Sequence, residues 1–381
     1  MNSNTGSLEM IKRINRQLIL DKIKKEQPVS RAWLARELAL SKTTVSAICD
    51  ELLASRMIVD LGEKGPKKGS GRPAKMLGFN PLSAYGLGVD LHPDRALAAV
   101  ADLEGRILYR MQAPASEEAE QIAALAWRCA QAAGISMEDV AALGVSVPGV
   151  VNKKGTVVRA NCLGWRNYDL QGALAERLPC RIAVNNEANC AALGERWRGA
   201  AMQTDNLLYI ALGEGVGGAV ISGGSLIYGA CNRAGEIGYL LSGQEAAQGL
   251  HNELGQPGVF EHKLMGLLQS GGLGPEQAVV AYVRGEEPAH SMIQQFIQFL
   301  SWAVANLVCL LNPEIVVIGG AAAQHLGPVL PAIRAVTTSL TPVRTHVTLG
   351  TLGPWASVVG AVAGALGGSA AARPQGPMAG E

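Results

Sequence analysis

Two runs of short apolar segments, in the same order, dominate the chain from residue 84 onward. The first run predicts three strands, a helix, two strands and a second helix, which are Ala84–Asp90, Ala96–Asp102, Arg106–Met111, Glu117–Ala133, Ala141–Val147, Arg181–Asn185 and a helix from near Ala188. A second run starts at Leu207 with the segments LLYIAL, GGAVISGG and LIYG, and ends with Met292–Leu311 and Glu314–Gly319. This duplication predicts two α/β lobes around a cleft, where glycine turns at strand ends face a ligand.

The composition agrees with such a fold. Of 381 residues, 48% are hydrophobic and 17% are charged, which excludes wholesale disorder and allows two or three domains. The 46 glycines suit tight turns and close backbone approaches. We therefore expect an α/β body of the two-lobed actin-like or sugar-kinase (ribonuclease H-like) class.

Cysteine usage and hydropathy bear on the cellular compartment. The seven cysteines are odd in number and contain no C-x-x-C pair, which argues against a disulfide framework and favours a reducing environment. The first 17 residues lack the apolar core of a signal peptide, and the longest apolar run, Trp355–Leu366, is too short to span a bilayer. We expect a cytoplasmic protein that does not contact a membrane.

Charge is distributed unevenly along the chain. Residues 1–80 contain 15 Lys and Arg against 8 Asp and Glu, whereas the rest contains 18 against 24. A basic head on an acidic body predicts that the head binds a polyanion.

The head contains three predicted helices. The first has an apolar face formed by Ile11, Ile14, Leu18 and Ile23, and the second runs from Ser30 to Leu38. Ser41 is expected to cap a third helix, Lys42–Ser55, whose inward positions are Val45, Ile48 and Leu52. Two helices joined by a short turn predict a helix-turn-helix, with short side chains available for a major groove. The residues expected to face DNA are Ser41, Lys42, Thr43, Thr44 and Ala47.

A basic loop between two short strands extends this motif into a wing. The strands are Met57–Val59 and Met76–Phe79, and the loop contains Lys67, Lys68 and Arg72. Arg72, between a glycine and a proline, is slim enough to enter a minor groove. The alternative is a small helical bundle followed by a solvated linker, but the charge asymmetry favours a winged helix-turn-helix that binds DNA.

Several motifs, in a fixed order, resemble the ROK family, which contains repressors and sugar kinases, and are most similar to its xylose repressors. The resemblance covers about residues 8 to 365. The motifs are Asn15–Leu53, Gly71–Pro73, Ser146–Val150, Asn161 with Gly164–Arg166, Asn185–Glu195, Gly213–Gly218 and Ala234–Gly238.

The resemblance implies a sugar pocket, in which carboxylates accept hydrogen bonds from sugar hydroxyls. The residues implied are Gly149, Asn161, Asn186, Glu187, Glu236, Tyr239 and Glu261. Tyr239 stands where the family has a histidine that touches the sugar. The alternative is that Glu187 merely caps a helix and Glu236 merely lies in a turn.

Departures from the family's kinases imply that phosphoryl transfer is lost. Pro93 and Asp94 replace a phosphate-binding turn, Glu214 places a carboxylate in the second glycine loop, and Glu187 replaces the catalytic aspartate. The family's four zinc ligands map to Tyr239, Asn252, Leu254 and Val259, so the resemblance implies no metal. We expect no cofactor and no enzyme activity.

These observations predict a winged helix-turn-helix over 1–80, body lobes over 81–205 and 206–366, and a disordered tail over 367–381. The predicted function is a repressor of carbohydrate-utilisation genes that binds a double-stranded operator as a homodimer or homotetramer. A sugar inducer, expected to be xylose or glucose, releases it. Two alternatives remain, which are a sugar kinase with an accessory DNA-binding head and a regulator that docks a protein partner.

Overall fold

The computed structural model describes residues 3–64, 74–269 and 272–367. The chain divides at residue 84 into two compact units, an N-terminal unit and a larger body. The predicted disordered tail from 368 onward and most of the predicted basic loop, at 65–73, lie outside the described residues.

The N-terminal unit combines three helices with a small antiparallel sheet. Its elements are α1 (Ser3–Glu26), β1 (Val29–Ser30), α2 (Arg31–Glu37), α3 (Lys42–Ala54), β2 (Ile58–Lys64) and β3 (Ala74–Phe79). The strands lie in the order β1-β3-β2. Serine side chains start two of the helices, because Ser30 accepts a hydrogen bond from the Trp33 N–H (3.2 Å) and Ser41 from the Thr44 N–H (3.0 Å).

The predicted inward stripe of α3 is confirmed, but that of α1 is largely wrong. Ile11, Ile14 and Leu18 are each about half exposed. The N-terminal unit is small, and the apolar contacts of α1 lie in its C-terminal part, while Lys12 reaches α3 only through an exposed ion pair with Glu51, so a helix of 24 residues extends beyond the core. The buried apolar residues of α1 are Ile19, Leu20 and Ile23.

The body begins with a five-stranded sheet in the order β11-β7-β4-β5-β6. The strands are β4 (Tyr85–Leu91), β5 (Arg95–Asp102), β6 (Ile107–Pro114), β7 (Val140–Val147) and β11 (Arg181–Asn186). Helices α4 (Ala119–Ala132) and α5 (Leu170–Ala175) pack against one face of this sheet. Between β7 and α5 the chain forms a small antiparallel sheet that the sequence did not predict, made of β8 (Val150–Val151), β9 (Val157–Ala160) and β10 (Trp165–Tyr168).

A second five-stranded sheet repeats the arrangement, in the order β14-β13-β12-β15-β16. Its strands are β12 (Leu207–Leu212), β13 (Val216–Ser222), β14 (Ser225–Leu226), β15 (Ile315–Gly319) and β16 (His346–Leu349). In each sheet the first three strands in chain order run antiparallel to one another. The last two strands in chain order run parallel to the first strand. The predicted duplication is therefore confirmed.

Helices of the second lobe cover the outer face of its sheet. They are α7 (Gly243–Ala247), α8 (Val259–Leu268), α9 (Pro275–Arg284), α10 (Ala289–Leu311) and α11 (Leu330–Leu340). Among the described helices, α10 alone has the length and hydropathy of a membrane span. It packs against α8, α9 and α11, and its buried face belongs to the core of this lobe.

Two helices lie between the sheets. Helix α6 (Glu187–Arg198) packs on the second sheet, whereas α12 (Ala356–Ala365) packs on β4 and β7 of the first. They approach closely, since a Cβ added at Gly360 would overlap the Cys190 carbonyl. The sequence prediction assigned this last helix to the second lobe, over 206–366, whereas its contacts are with α6 and with strands of the first sheet.

Candidate functional site

Three polar side chains lie side by side at the carboxyl ends of the parallel strands of the first sheet. Asp90 on β4 and Asn185 on β11 are both in register with Ser146 on β7. Asp90 is 1% exposed, and its Oδ1 is buried without a hydrogen-bond partner among the described residues. Ligands bind at this edge in open α/β sheets.

A histidine shares the buried carboxylate. The Nε2 of His92 lies 2.8 Å from the Asp90 Oδ2. Burial disfavours the charged imidazolium, but the Asp90 hydrogen bond and the Asp90 and Glu187 carboxylates outweigh it and raise the pKa of His92. This raised pKa favours an imidazolium beside the Asp90 carboxylate.

Glu187 is the first residue of α6 and keeps only part of its surface exposed. Burial, followed by repulsion from Asp90 and Glu214 and opposed by His92, raises the pKa of Glu187 to about 7. A carboxyl with this pKa can both donate and accept a proton under cellular conditions.

Asn186 caps α6 and fixes it to the strand edge. Its Oδ1 accepts hydrogen bonds from the N–H groups of Ala188 (2.9 Å) and Asn189 (3.2 Å), while its Nδ2 donates to the Gly149 carbonyl at 2.8 Å. The predicted sugar residues Gly149, Asn186 and Glu187 are thus brought together, and Asn186 rather than Glu187 caps the helix.

The second lobe supplies two further carboxylates. Glu261, in the first turn of α8, accepts a hydrogen bond from the Val216 N–H. Burial raises the pKa of Glu261, with Val216 opposing and Glu236 adding to it. Burial also raises the pKa of Glu236, against Arg233. A Cβ at Gly215 or at Gly238 would lie 2.9 Å from a carboxylate oxygen of Glu261, so these glycines leave room for that carboxylate.

The positions to which zinc ligands were mapped are joined by hydrogen bonds. The Asn252 side chain donates to the Tyr239 carbonyl (2.7 Å) and accepts from the Val259 N–H (2.9 Å), and the Tyr239 hydroxyl accepts from the Gly255 N–H (3.1 Å). These positions offer no thiolate or imidazole and do not fit zinc. Among the residues that the structure describes, no group of three His, Cys, Asp or Glu side chains has a metal-binding arrangement.

Asn161 lies on the first lobe but contacts the second. Its Nδ2 donates to the Gly255 carbonyl at 2.9 Å. Carboxylates from both lobes act on the neighbouring Cys162. Burial, then Glu214 and then Glu187 raise the pKa of its thiol. Asn161 thus lies where the two lobes meet, while sugar contacts by all the predicted site residues stay predictions.

The predicted DNA-facing residues occupy the start of α3. Lys42, Thr43 and Ala47 are exposed, and Thr44 is half-buried. The Ser41 hydroxyl caps the helix and lies 2.8 Å from the hydroxyls of both Thr43 and Thr44, so these three orient one another. Lys67, Lys68 and Arg72 lie outside the described residues.

Sequence reasoning missed the roles of His92 and Asn252. His92 was not singled out from the sequence, although residues two positions apart on a strand point to the same face, so a histidine two residues after a strand aspartate can pair with it. Asn252 gave no local signal, because its partners are 13 and 7 residues away.

Comparison with known proteins now places this chain. Residues 86–373 match the ROK family along most of the chain. The chain belongs to the ROK family. It is 27% identical over 343 residues to a xylose repressor of Caldicellulosiruptor bescii, covering 83% of this chain and 85% of that protein. It is 32% identical to a glucokinase of Halalkalibacterium halodurans, covering 52% of this chain and 67% of that protein.

Solved structures confirm the fold of the ROK body. A ROK family transcriptional regulator, described as a homologue of the E. coli MLC protein, superposes with a TM-score of 0.76 at 23% identity, covering 92% of this chain and 95% of that chain. A ROK family glucokinase from Streptomyces griseus, solved with glucose and AMPPNP, gives a TM-score of 0.59 at 26% identity, covering 75% of this chain and all of that one. The mixed α/β, sugar-kinase-like body is therefore established.

Proposed function

We propose that this ROK protein is a sugar-responsive transcription repressor, in which the N-terminal unit binds operator DNA as a winged helix-turn-helix and the body binds the inducer. Two observations support this assignment. Named relatives are repressors, and the superposition on the MLC-like regulator covers 92% of the chain, which is more than the body at 85–381 and so includes part of the N-terminal unit. The observation that carries it is the presence, in one chain, of a capped helix with an exposed polar start and a kinase-like body.

The body offers acceptors suited to sugar hydroxyls. Glu236 and Glu261 accept from sugar O–H groups in charge-assisted hydrogen bonds, and Glu187 completes the set from the first lobe. Asn186 holds Glu187 in place, since it joins α6 to the Gly149 carbonyl. We propose D-xylose as the inducer, with D-glucose as the second candidate, because named relatives are xylose repressors.

The N-terminal unit supplies the DNA contacts. Lys42 and Thr43 lie on the exposed start of α3, where a recognition helix meets base edges. The Arg72 arm is proposed to read an A·T-rich minor groove, and Lys67 and Lys68 to contact phosphates. Palindromic half-sites need two such units, so we propose a cytoplasmic homodimer as the minimal assembly, with a homotetramer as the larger one.

The test is binding to DNA from upstream of the chain's own reading frame, measured by fluorescence anisotropy with and without D-xylose or D-glucose. Sequence-specific binding that one of these sugars reverses supports the proposal. Arg72→Ala is expected to weaken specific binding by about 1–3 kcal/mol, whereas Lys67→Ala lowers affinity for all sequences. A protein that binds no DNA specifically contradicts the proposal.

One observation favours a kinase, namely that Glu187 titrates where a general base should. We infer that it is not catalytic, because the turn after β4 contains the Asp90–His92 pair and Pro93, which has no N–H for a phosphate. Glu187→Asp, which restores the aspartate of the family's kinases, is expected to release no sugar-dependent ADP in a coupled assay. Turnover by wild type or by this variant would favour the kinase.

A further inference from the structure

The segment from Gly249 to Gly258 links the two lobes of the body. Its backbone carbonyls accept hydrogen bonds from first-lobe side chains, since Arg159 donates to Leu254 (3.2 Å) and Asn161 donates to Gly255 (2.9 Å). We call residues 249–258 the bridging segment. Gly255 has a φ of +86°, and a Cβ there would overlap the Arg159 guanidinium, so the link requires glycine at this position.

On its other side the bridging segment leads directly into the carboxylates of the second lobe. Gly258 lies against the Gly238 carbonyl so closely that a Cβ would overlap it. Val259 starts α8, and Glu261 follows in the first turn. Glu236 lies just before the single helical turn Ile237–Tyr239. A shift of the bridging segment therefore moves the surroundings of both Glu236 and Glu261.

One side chain determines the path of this segment. Gly258, at the cap position of α8, has no side chain to satisfy the first helical N–H groups, and the Asn252 Oδ1 accepts the Val259 N–H in its place. The same amide donates to the Tyr239 carbonyl. Asn252 thus connects the turn that follows Glu236 with the helix that carries Glu261, and Tyr239 adds a hydroxyl acceptor for the Gly255 N–H.

We propose that Asn252 is a positioning residue for the sugar pocket, which sets the distance between Glu236 and Glu261 and links them, through the bridging segment, to Asn161 and Arg159 of the first lobe. This rests on the proposed function of the body as a sugar-binding unit. The same two hydrogen bonds connect three of the four positions at which the resemblance places lost zinc ligands, so an amide now joins segments at those positions.

The experiment compares Asn252→Ala, Asn252→Asp and wild type. Alanine removes both hydrogen bonds, whereas aspartate keeps the acceptor for the Val259 N–H but cannot donate to Tyr239. Asn306→Ala is the matched control, because Asn306 also donates its amide to a backbone carbonyl, that of Trp302 (2.8 Å), but on the exposed surface of α10. Tyr239→Phe, which removes one hydroxyl, serves as a milder variant if Asn252→Ala does not fold.

Calorimetric titration with D-xylose and with D-glucose is the first readout. We expect Asn252→Ala to bind about tenfold more weakly, Asn252→Asp to fall between it and wild type, and Asn306→Ala to match wild type. Wild-type affinity in Asn252→Ala, or an equal loss in Asn306→Ala, overturns the proposal.

Amide hydrogen exchange separates this proposal from the proposed function. In Asn252→Ala we expect faster exchange at Val259 and at Gly255, and in Asn252→Asp retained protection at Val259. If wild type binds neither sugar, the proposed function fails for these sugars. The amide hydrogen exchange rates then test the positioning role of Asn252 by themselves. Accelerated exchange at both amides then supports the positioning role, and unchanged exchange contradicts it.

Discussion

In the first lobe, Asp90 and Glu187 share their surroundings with an imidazole, whereas in the second lobe Glu261 shares its surroundings with another carboxylate, Glu236. The two lobes have the same strand order, and Asp90 and Val216 border equivalent hairpin turns. Both turns have three residues, but the first contains the His92 side chain bonded to Asp90, while the second, Gly213–Gly215, is rich in glycine.

This difference shows how two lobes with the same fold can hold carboxylates in different environments. The acids of the first lobe are compensated within the protein, by His92 and by the proton that Glu187 retains up to about pH 7. Glu236 is compensated by Arg233, and Glu261 by one backbone N–H and by His262, but neither carboxylate forms an ion pair within 4 Å among the described residues, so both remain available as acceptors for a ligand. We expect mutations of Glu236 and Glu261 to change ligand affinity, and mutation of Glu187 to change pH-dependent stability as well.

The largest expected effect is that of Glu236→Gln. The amide keeps the size but loses the charge-assisted acceptor, which is expected to weaken sugar binding by about 1.5–3 kcal/mol, or roughly 10- to 100-fold. Operator affinity without sugar should not change, so the variant stays on DNA at sugar concentrations that release wild type. A sugar titration of operator-bound protein by fluorescence anisotropy measures this.

The matched control for Glu236→Gln is Glu253→Gln, which removes a largely exposed carboxylate of the bridging segment. It is expected to release DNA as wild type does. If Glu236→Gln also dissociates at the wild-type sugar concentration, then Glu236 is not an inducer contact.

A smaller effect is expected at the glycine turn of the second lobe. Gly215→Ala places a Cβ 2.9 Å from the Glu261 Oε1, which must move, whereas a Cβ at Gly213 meets nothing within 4 Å. Because displacement of a binding group by about 1 Å can cost up to about 100-fold, we expect Gly215→Ala to weaken sugar binding by about tenfold. Gly213→Ala should keep wild-type affinity, and equal losses in the two variants would show that the turn backbone, not Glu261, matters. Calorimetry measures both.

The contrast between the lobes also shows what a sequence can predict. The strands of both sheets except β16, and the start of α3, were predictable, because apolar runs and serine caps are local signals. The small sheet β8–β10 was missed, because its strands are two to four residues long. The return of α12 to the first lobe was also missed, because chain order does not reveal a contact between the last helix and β4.

The carboxylates of the candidate site could be named from the sequence, and their environments could not. Glu187, Glu236 and Glu261 were found by resemblance, but their different pairing depends on where His92 and Arg233 lie in space. The cap provided by Asn186 follows from its place before α6, whereas the hydrogen bonds of Asn252 join segments that no periodicity connects.

The smallest expected effect is that of Glu187→Gln on stability, and its sign depends on pH. Below about pH 4.5, the ordinary pKa of a glutamate, Glu187 is protonated in folded and unfolded chains alike and contributes nothing. Between that pH and about 7, only the folded protein keeps the proton, so stability falls as the pH rises. Above about pH 7 the folded protein carries the disfavoured charge in full. Glutamine has no such charge, and Glu187→Gln is therefore expected to raise the Tm of the body at pH 8 by about 2–4 °C, equivalent to about 1 kcal/mol.

At pH 5 the same variant should gain nothing. There Glu187 is protonated in the folded protein and, like glutamine, carries no charge. The gain in Tm is therefore expected to grow from pH 5 to pH 8. Differential scanning calorimetry at pH 5, 6.5 and 8 measures the change, with Glu253→Gln as the control because it removes a largely exposed carboxylate that does not act on the pKa of Glu187. A gain in Tm that is the same at all three pH values would mean that Glu187 is ionised in the folded protein throughout, and the distinction drawn between the two groups of carboxylates would then be lost.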